Sequence, residues 1–333
     1  MNTDYSIIKL RCIAIIVVVF GHSIILYDPQ WGIYSTTYTV SSLMWIKRLI
    51  NTFQMPLFLF LSGFCFFYSS QKYGYKNVRS IIQGILCKAK RLLIPFFVVT
   101  IFWMIPIRFL CNYVPWANLN LIQIFKRVFL GLDSGHLWFL PTLFSIFIIA
   151  FLVLPRVVKK LGDFLVLLIS FMGILVAPKL PTVLFMSNVA SSLYWFCLGF
   201  EVCKYKKKVK DIGDTGIKYV LLIMASILIF LIIRGGVNSV TGKLFKEIAV
   251  TFLLTSSYNC VSSSKCSKVC ELISKESMGI YLLHSPLIYF TYSYCSNEFP
   301  LVVVFINFVI DGSIAVLLTN FLMKGKGKWL IGY

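Results

Sequence analysis

Hydrophobic positions along this chain gather into long blocks separated by short polar connections. Ten such blocks can be read, at about Ile7 to Tyr27, Leu49 to Tyr68, Leu92 to Tyr113, Leu137 to Leu154, Phe164 to Ala177, Val183 to Cys203, Ile217 to Ile233, Leu244 to Val261, Met278 to Cys295 and Leu301 to Met323. Most are long enough to cross a bilayer as a helix, so the pattern predicts an all-α polytopic membrane helix bundle of about ten transmembrane helices. The fifth block is short, and the eighth is weakened by Lys246 and Glu247 near its start. Basic residues fall mainly in alternate connections: Lys72, Lys76 and Arg79 in one, Lys204, Lys206, Lys207 and Lys208 in another, Lys324, Lys326 and Lys328 in the tail. The cytoplasmic loops of membrane proteins carry such an excess of Lys and Arg, which predicts that both termini face the cytosol.

Composition agrees with the pattern. At 333 residues, 59% hydrophobic, and with a mean hydropathy of +0.85, the chain is too apolar for a soluble domain. The net charge of +20 would suit a nucleic-acid binder, but the cations sit in short runs flanking apolar blocks, so membrane topology explains them and no nucleic-acid partner is expected. Most of the ten cysteines lie inside or at the ends of apolar blocks, and Cys266 and Cys270 form a helical i,i+4 pair with no histidine nearby. No metal-ligand spacing emerges, and no metal is expected. The first apolar block contains Arg11 and has no small-residue cleavage site, so it reads as a retained first span. Short connections without linkers or repeats predict a single membrane-embedded domain over 1–333.

Candidate chemistry centres on the first block. Arg11 and His22 are eleven residues apart; eleven helical steps return to within roughly 20° of the start and advance about 16 Å, so the two side chains share one helix face half a bilayer apart. A charge facing hydrocarbon costs several kcal/mol, so the pair either lines a wet passage inside the bundle or snorkels to the two membrane surfaces. The chain has only two other histidines. His136 opens the fourth block in Gly-His-Leu-Trp-Phe-Leu-Pro, and His284 shares a helix face with Ser277 and Tyr281 in the ninth. Histidine exchanges protons near neutral pH, which makes His22 a candidate general base; a helix-to-helix hydrogen bond is the plainer reading. Ser62 and Gly63 follow Pro56 in the second block, where Pro56 predicts a kink and the small residues suit either a passage or tight packing. Arg91, with Lys88 and Lys90 before the third block, suits either a phosphorylated ligand or a positively charged membrane flank. Arg108, Glu201 and Asp311 also lie in or near blocks, and pairing among them is open. The connections around Tyr27 to Arg48 and Asn112 to Gly135 carry aromatics and few charges, and either cover a site or lie in the membrane interface.

Five motifs in sequence then converge. Leu-Arg-Cys-Ile-Ala followed by Gly-His, Met-Pro-Leu-Phe-Leu-Phe-Leu-Ser-Gly-Phe, Arg-Leu-Leu-Ile-Pro, His-Leu-Trp-Phe-Leu, and Ser-Met-Gly-Ile-Tyr-Leu-Leu-His resemble, in order and spacing, the acyltransferase 3 family of bacterial membrane O-acyltransferases. In that family a cation separated by ten residues from a histidine marks the first span, as Arg11 and His22 do here. Ile8 stands where many members have aspartate and Cys12 where glycine is frequent, which implies the loss of an auxiliary contact near the helix start. No esterase-like soluble domain follows the membrane part, which implies a self-contained transferase.

The resemblance implies transfer of an acyl group, most simply acetyl, from acetyl-CoA on the cytosolic side to a hydroxyl of a surface polysaccharide such as O-antigen or capsule, or its lipid-linked precursor. The setting would be the bacterial cytoplasmic (inner) membrane. His22 is then the expected catalytic base. Arg11 and Arg91 would hold the anionic parts of CoA. His136 and Trp138 would form the acceptor side, and Ser62, Tyr281 and His284 would line the passage between. A transporter or flippase of lipid-linked saccharide is the alternative, since intramembrane Arg and His also suit a translocation path; a structural membrane partner is a third.

Overall fold

Asp4 starts the first helix by accepting a hydrogen bond from the Ser6 backbone N–H at 3.2 Å, which satisfies one of the donors that a helix start leaves free. The computed structural model describes residues 4–75, 77–213, 217–235, 240–261 and 264–333; Lys76 of the first basic connection lies outside them. In chain order the helices are α1 (Tyr5–Ser23), α2 (Ser41–Tyr73), α3 (Val78–Val99), α4 (Ile105–Leu110), α5 (Leu121–Phe129), α6 (Phe139–Leu152) and α7 (Leu154–Val176). They continue with α8 (Met186–Lys204), α9 (Lys206–Gly213), α10 (Ile217–Arg234), α11 (Val240–Cys260), α12 (Lys268–Tyr294), α13 (Pro300–Phe305) and α14 (Asp311–Lys324). No strand occurs among the described residues.

Each of the ten expected blocks falls on helix. The third and tenth are each two α-helices joined by a π-helical turn, Thr100–Met104 between α3 and α4 and Ile306–Ile310 between α13 and α14. Among the described residues seven helices are long and apolar enough to cross a membrane. The apolar stretch Tyr219–Arg234 of α10 is shorter, while α11 and α12 have the length but carry more polar side chains. Helix α2 continues through Pro56.

Between membrane helices burial in lipid supplies little drive, so association depends on close backbone approach. Gly63 of α2 and Gly199 of α8 provide it reciprocally. A Cβ at Gly63 would collide with the Phe196 carbonyl, and one at Gly199 would collide with the Phe60 carbonyl. Gly63 is therefore a packing residue, and its neighbour Ser62 turns to a cavity instead. Helix α1 runs beside α2 and α12 in the bundle interior, with Ala14 and Val18 fully enclosed. We call the end where α1 begins the N-terminal face and the opposite end the distal face.

Candidate active site

The three histidines, from α1, the turn before α6, and α12, converge toward the distal face. His22 Nδ1 lies 2.8 Å from His284 Nε2, and His284 Nδ1 lies 2.8 Å from the Ile280 carbonyl oxygen. A carbonyl only accepts, so His284 Nδ1 carries its proton, Nε2 accepts from His22 Nδ1–H, and the His22 Nε2 lone pair stays free; these hydrogens are assigned from partner chemistry. His136 packs its ring edge-on, 6.4 Å from His22 and 5.9 Å from His284. Its Nε2 donates to the Leu282 carbonyl at 3.2 Å, and its buried Nδ1 has no partner. Pro286 makes that contact available. Proline has no N–H to bond the carbonyl four residues back, which frees the Leu282 oxygen inside α12. His22 and His284 face each other nitrogen to nitrogen. Among the described residues no group of three or more metal-binding side chains is placed to hold a cation.

His22 and His136 line a cavity of about 400 Å³ toward the distal face, together with Trp31, Arg108, Asp133 and Tyr289. Arg108 is 1% exposed, and a buried guanidinium needs a counter-charge. Asp133 supplies it at 3.2 Å, and Arg108 also donates to Tyr289 Oη at 3.0 Å while stacking over the Tyr113 ring at 4.2 Å. Asp133 accepts further bonds from Trp116 Nε1 at 2.6 Å and Tyr113 Oη at 3.3 Å, so the carboxylate is fully engaged. Burial pushes the Tyr113 and Tyr34 phenols above their ordinary range, which leaves both as neutral donors near pH 7. Gly135, at φ +55°, lets the turn bearing His136 pass directly against Arg108 Nη2. The two aromatic connections meet over this cavity, where Tyr34 Oη donates to the Cys111 carbonyl at 2.9 Å and Trp31 lies 6.5 Å from Tyr289 in a stacked arrangement.

A second cavity, of about 150 Å³, lies toward the N-terminal face. Four cations line it, Arg11, Lys88, Arg91 and Lys275, with Ser62, Tyr281 and Tyr333 and no carboxylate side chain. Arg11 Nη2 donates to Cys65 Sγ at 3.4 Å, and Lys88 Nζ sits 4.1 Å above the Phe147 ring. Four cations around one cavity whose lining holds no carboxylate side chain favour an anionic guest. Phe58, Phe139 and Tyr281 line this cavity on the side facing the histidines, with the Tyr281 ring 5.6 Å from that of His136.

Arg11, Arg91, Ser62 and Tyr281 thus gather at the cationic cavity, and His22, His136 and Trp138 at the distal one. His284 supports His22 rather than lining either space. The expected common passage through Arg11 and His22 is instead two cavities with aromatic rings between them. Pairing among Arg108, Glu201 and Asp311 does not occur: Arg108 takes Asp133, Glu201 lies 3.8 Å from Lys204, and Asp311 Oδ2 is buried without a partner. Asp133, Tyr289, Lys275 and Pro286 were not singled out from sequence. Only Pro286 left a signal there, two residues after His284.

Fold and site together define an all-α, multi-pass membrane protein with a cation-lined cavity toward one face and a histidine- and aromatic-lined cavity toward the other. A family model described as an acyltransferase domain, acyltransferase 3, matches residues 4–319, and the chain belongs to that family. It is a membrane acyltransferase. No curated protein and no solved structure matches the chain.

Proposed function

We propose that the protein is an O-acetyltransferase that moves an acetyl group from acetyl-CoA to a hydroxyl of a surface polysaccharide or its lipid-linked precursor, in the bacterial cytoplasmic membrane. The observation that carries this reading is the position of His22. Its free Nε2 belongs to a ring lining the aromatic distal cavity, while the cation-lined cavity opens toward the other face of the same helix bundle.

CoA carries phosphates, and the cavity formed by Arg11, Lys88, Arg91 and Lys275 suits them. The basic connections on that face support a cytosolic orientation, the side where the donor is made. A saccharide presents flat apolar ring faces edged by hydroxyls. Trp31, Trp138 and Tyr289 offer aromatic faces, and the unpartnered His136 Nδ1 offers an acceptor to a sugar hydroxyl. In the transfer, His22 Nε2 takes the proton of the acceptor hydroxyl as its oxygen bonds to the thioester carbonyl carbon. The carbon–sulfur bond breaks, and the proton passes to the departing CoA thiolate. His284 stabilises the imidazolium of His22 by accepting its Nδ1–H and holds the tautomer that leaves Nε2 basic.

The test is incubation of purified protein with radiolabelled acetyl-CoA and glycan extracted from cells lacking the protein. Labelled glycan with one free CoA thiol per acetyl supports the reading. Saccharide movement across vesicles without thiol release overturns it.

A further inference from the structure

Phe58, Phe139 and Tyr281 form a closed triangle. Their ring centroids lie 6.2 Å (Phe58 to Phe139), 6.5 Å (Phe58 to Tyr281) and 5.7 Å (Phe139 to Tyr281) apart, so the three rings pack against one another. All three face the cationic cavity, and immediately behind Tyr281 stands His136, 5.6 Å away. The Tyr281 hydroxyl donates to the His136 carbonyl, which anchors this side of the triangle to the turn that bears the histidine. Tyr281 and Phe139 are 4% and 6% exposed, so neither can swing aside into solvent.

Resting on the donor assignment above, we infer that this triangle sets the acyl chain length. A thioester whose phosphates sit among Arg11, Lys88, Arg91 and Lys275 points its acyl end at the three rings, and the carbonyl carbon reaches His22 only by parting them. An acetyl group asks for a small rotation of Phe58, the least buried of the three. In the docked donor, whose carbonyl still lies on the cationic side, each further methylene presses on packed rings with no space to receive it. The triangle is thus a selectivity filter between the two cavities, and Phe58 and Phe139 are its specificity-determining side chains. Tyr281 is the fixed post against which they close.

The experiment measures binding of acetyl-CoA, butanoyl-CoA and hexanoyl-CoA to the purified full-length protein by isothermal titration, for the wild type, Phe139→Ala and Phe58→Ala, with Phe139→Leu as a conservative control. Binding needs no acceptor, so the identity of the glycan does not enter. The wild type is expected to bind acetyl-CoA at least as tightly as the longer donors. In the alanine variants the ratio of hexanoyl-CoA to acetyl-CoA affinity should rise by about tenfold or more, the discrimination expected when a pocket gains room for methylenes. Acetyl-CoA binding by the same samples, with the Leu control near the wild type, certifies that the variants are folded. If acetyl-CoA binds normally and neither alanine variant changes the ratio, the filter is overturned while the donor assignment stands. If no acyl-CoA binds even the wild type, the donor assignment itself fails.

Discussion

His22 Nδ1 and His284 Nε2 meet at 2.8 Å across 262 residues of chain, joining the first helix to α12 through one hydrogen bond between imidazoles. The bond leaves His22 with one basic nitrogen on the cavity side. His284 in turn is locked by the Ile280 carbonyl at 2.8 Å, so neither ring is free to flip without losing a partner.

Different roles for the two rings predict different losses. His22→Ala removes the base and should lower turnover by about 10²- to 10⁴-fold. His284→Ala keeps the base but loosens it, and should lower kcat by roughly tenfold to a hundredfold with the donor KM unchanged. Steady-state kinetics on both variants checks the division; equal and complete losses in both would place the chemistry on His284 as well.

The cationic cavity should act on the donor alone. Arg11→Ala, Arg91→Ala and Lys275→Ala each remove one charge from its lining. Each should raise the donor KM by about tenfold to a hundredfold, the range for a lost charge-assisted hydrogen bond. The acceptor KM should not move. Titrating each substrate separately checks this, and a change confined to the acceptor would reverse the assignment of the two cavities.

Much of this was legible in the sequence, for physical reasons that differ by residue. Ten apolar blocks could be read because the hydrocarbon core demands long uninterrupted helices. Arg11, Arg91 and His22 stood out because polar groups are conspicuous against such a background. Arg108 was visible but its partner was not. Asp133 lies 25 residues downstream on an irregular connection, where no helical period constrains position. The separation of Arg11 from His22 into two cavities was also hidden, because Phe58 and Phe139 read as ordinary apolar residues and Tyr281 as a lining of one passage, until packing brings the three rings together.

The Arg108 and Asp133 pair predicts a stability defect distinct from a catalytic one. Arg108→Ala leaves the Asp133 carboxylate facing Tyr113 and Trp116 without its cation, and breaking a buried pair from one side costs about 3–5 kcal/mol. Thermal unfolding of the solubilised protein should show a lower Tm. Gly135→Ala should move in the same direction, since its Cβ would press on Arg108 Nη2 at a left-handed backbone position. An unchanged Tm in both variants would show that the cluster does not hold the turn.

Pro286 offers the opposite signature. Pro286→Ala restores an N–H able to bond the Leu282 carbonyl, so helix α12 should gain stability while His136 Nε2 faces a competitor for its acceptor. A fall in kcat on the order of tenfold, with Tm level or raised, is expected from so small a displacement of a substrate-facing ring. Activity and Tm falling together would mean that the proline serves folding alone.

Two-sided transfer through His22 is tested most directly in sealed vesicles of known orientation, with labelled acetyl-CoA supplied only at the face bearing the basic loops and glycan only at the other. Labelled glycan should accumulate on the far side, together with CoA thiol on the near side, in wild-type vesicles and not in those carrying His22→Ala. Label transfer that persists without His22, or that requires donor and glycan on the same face, would contradict it.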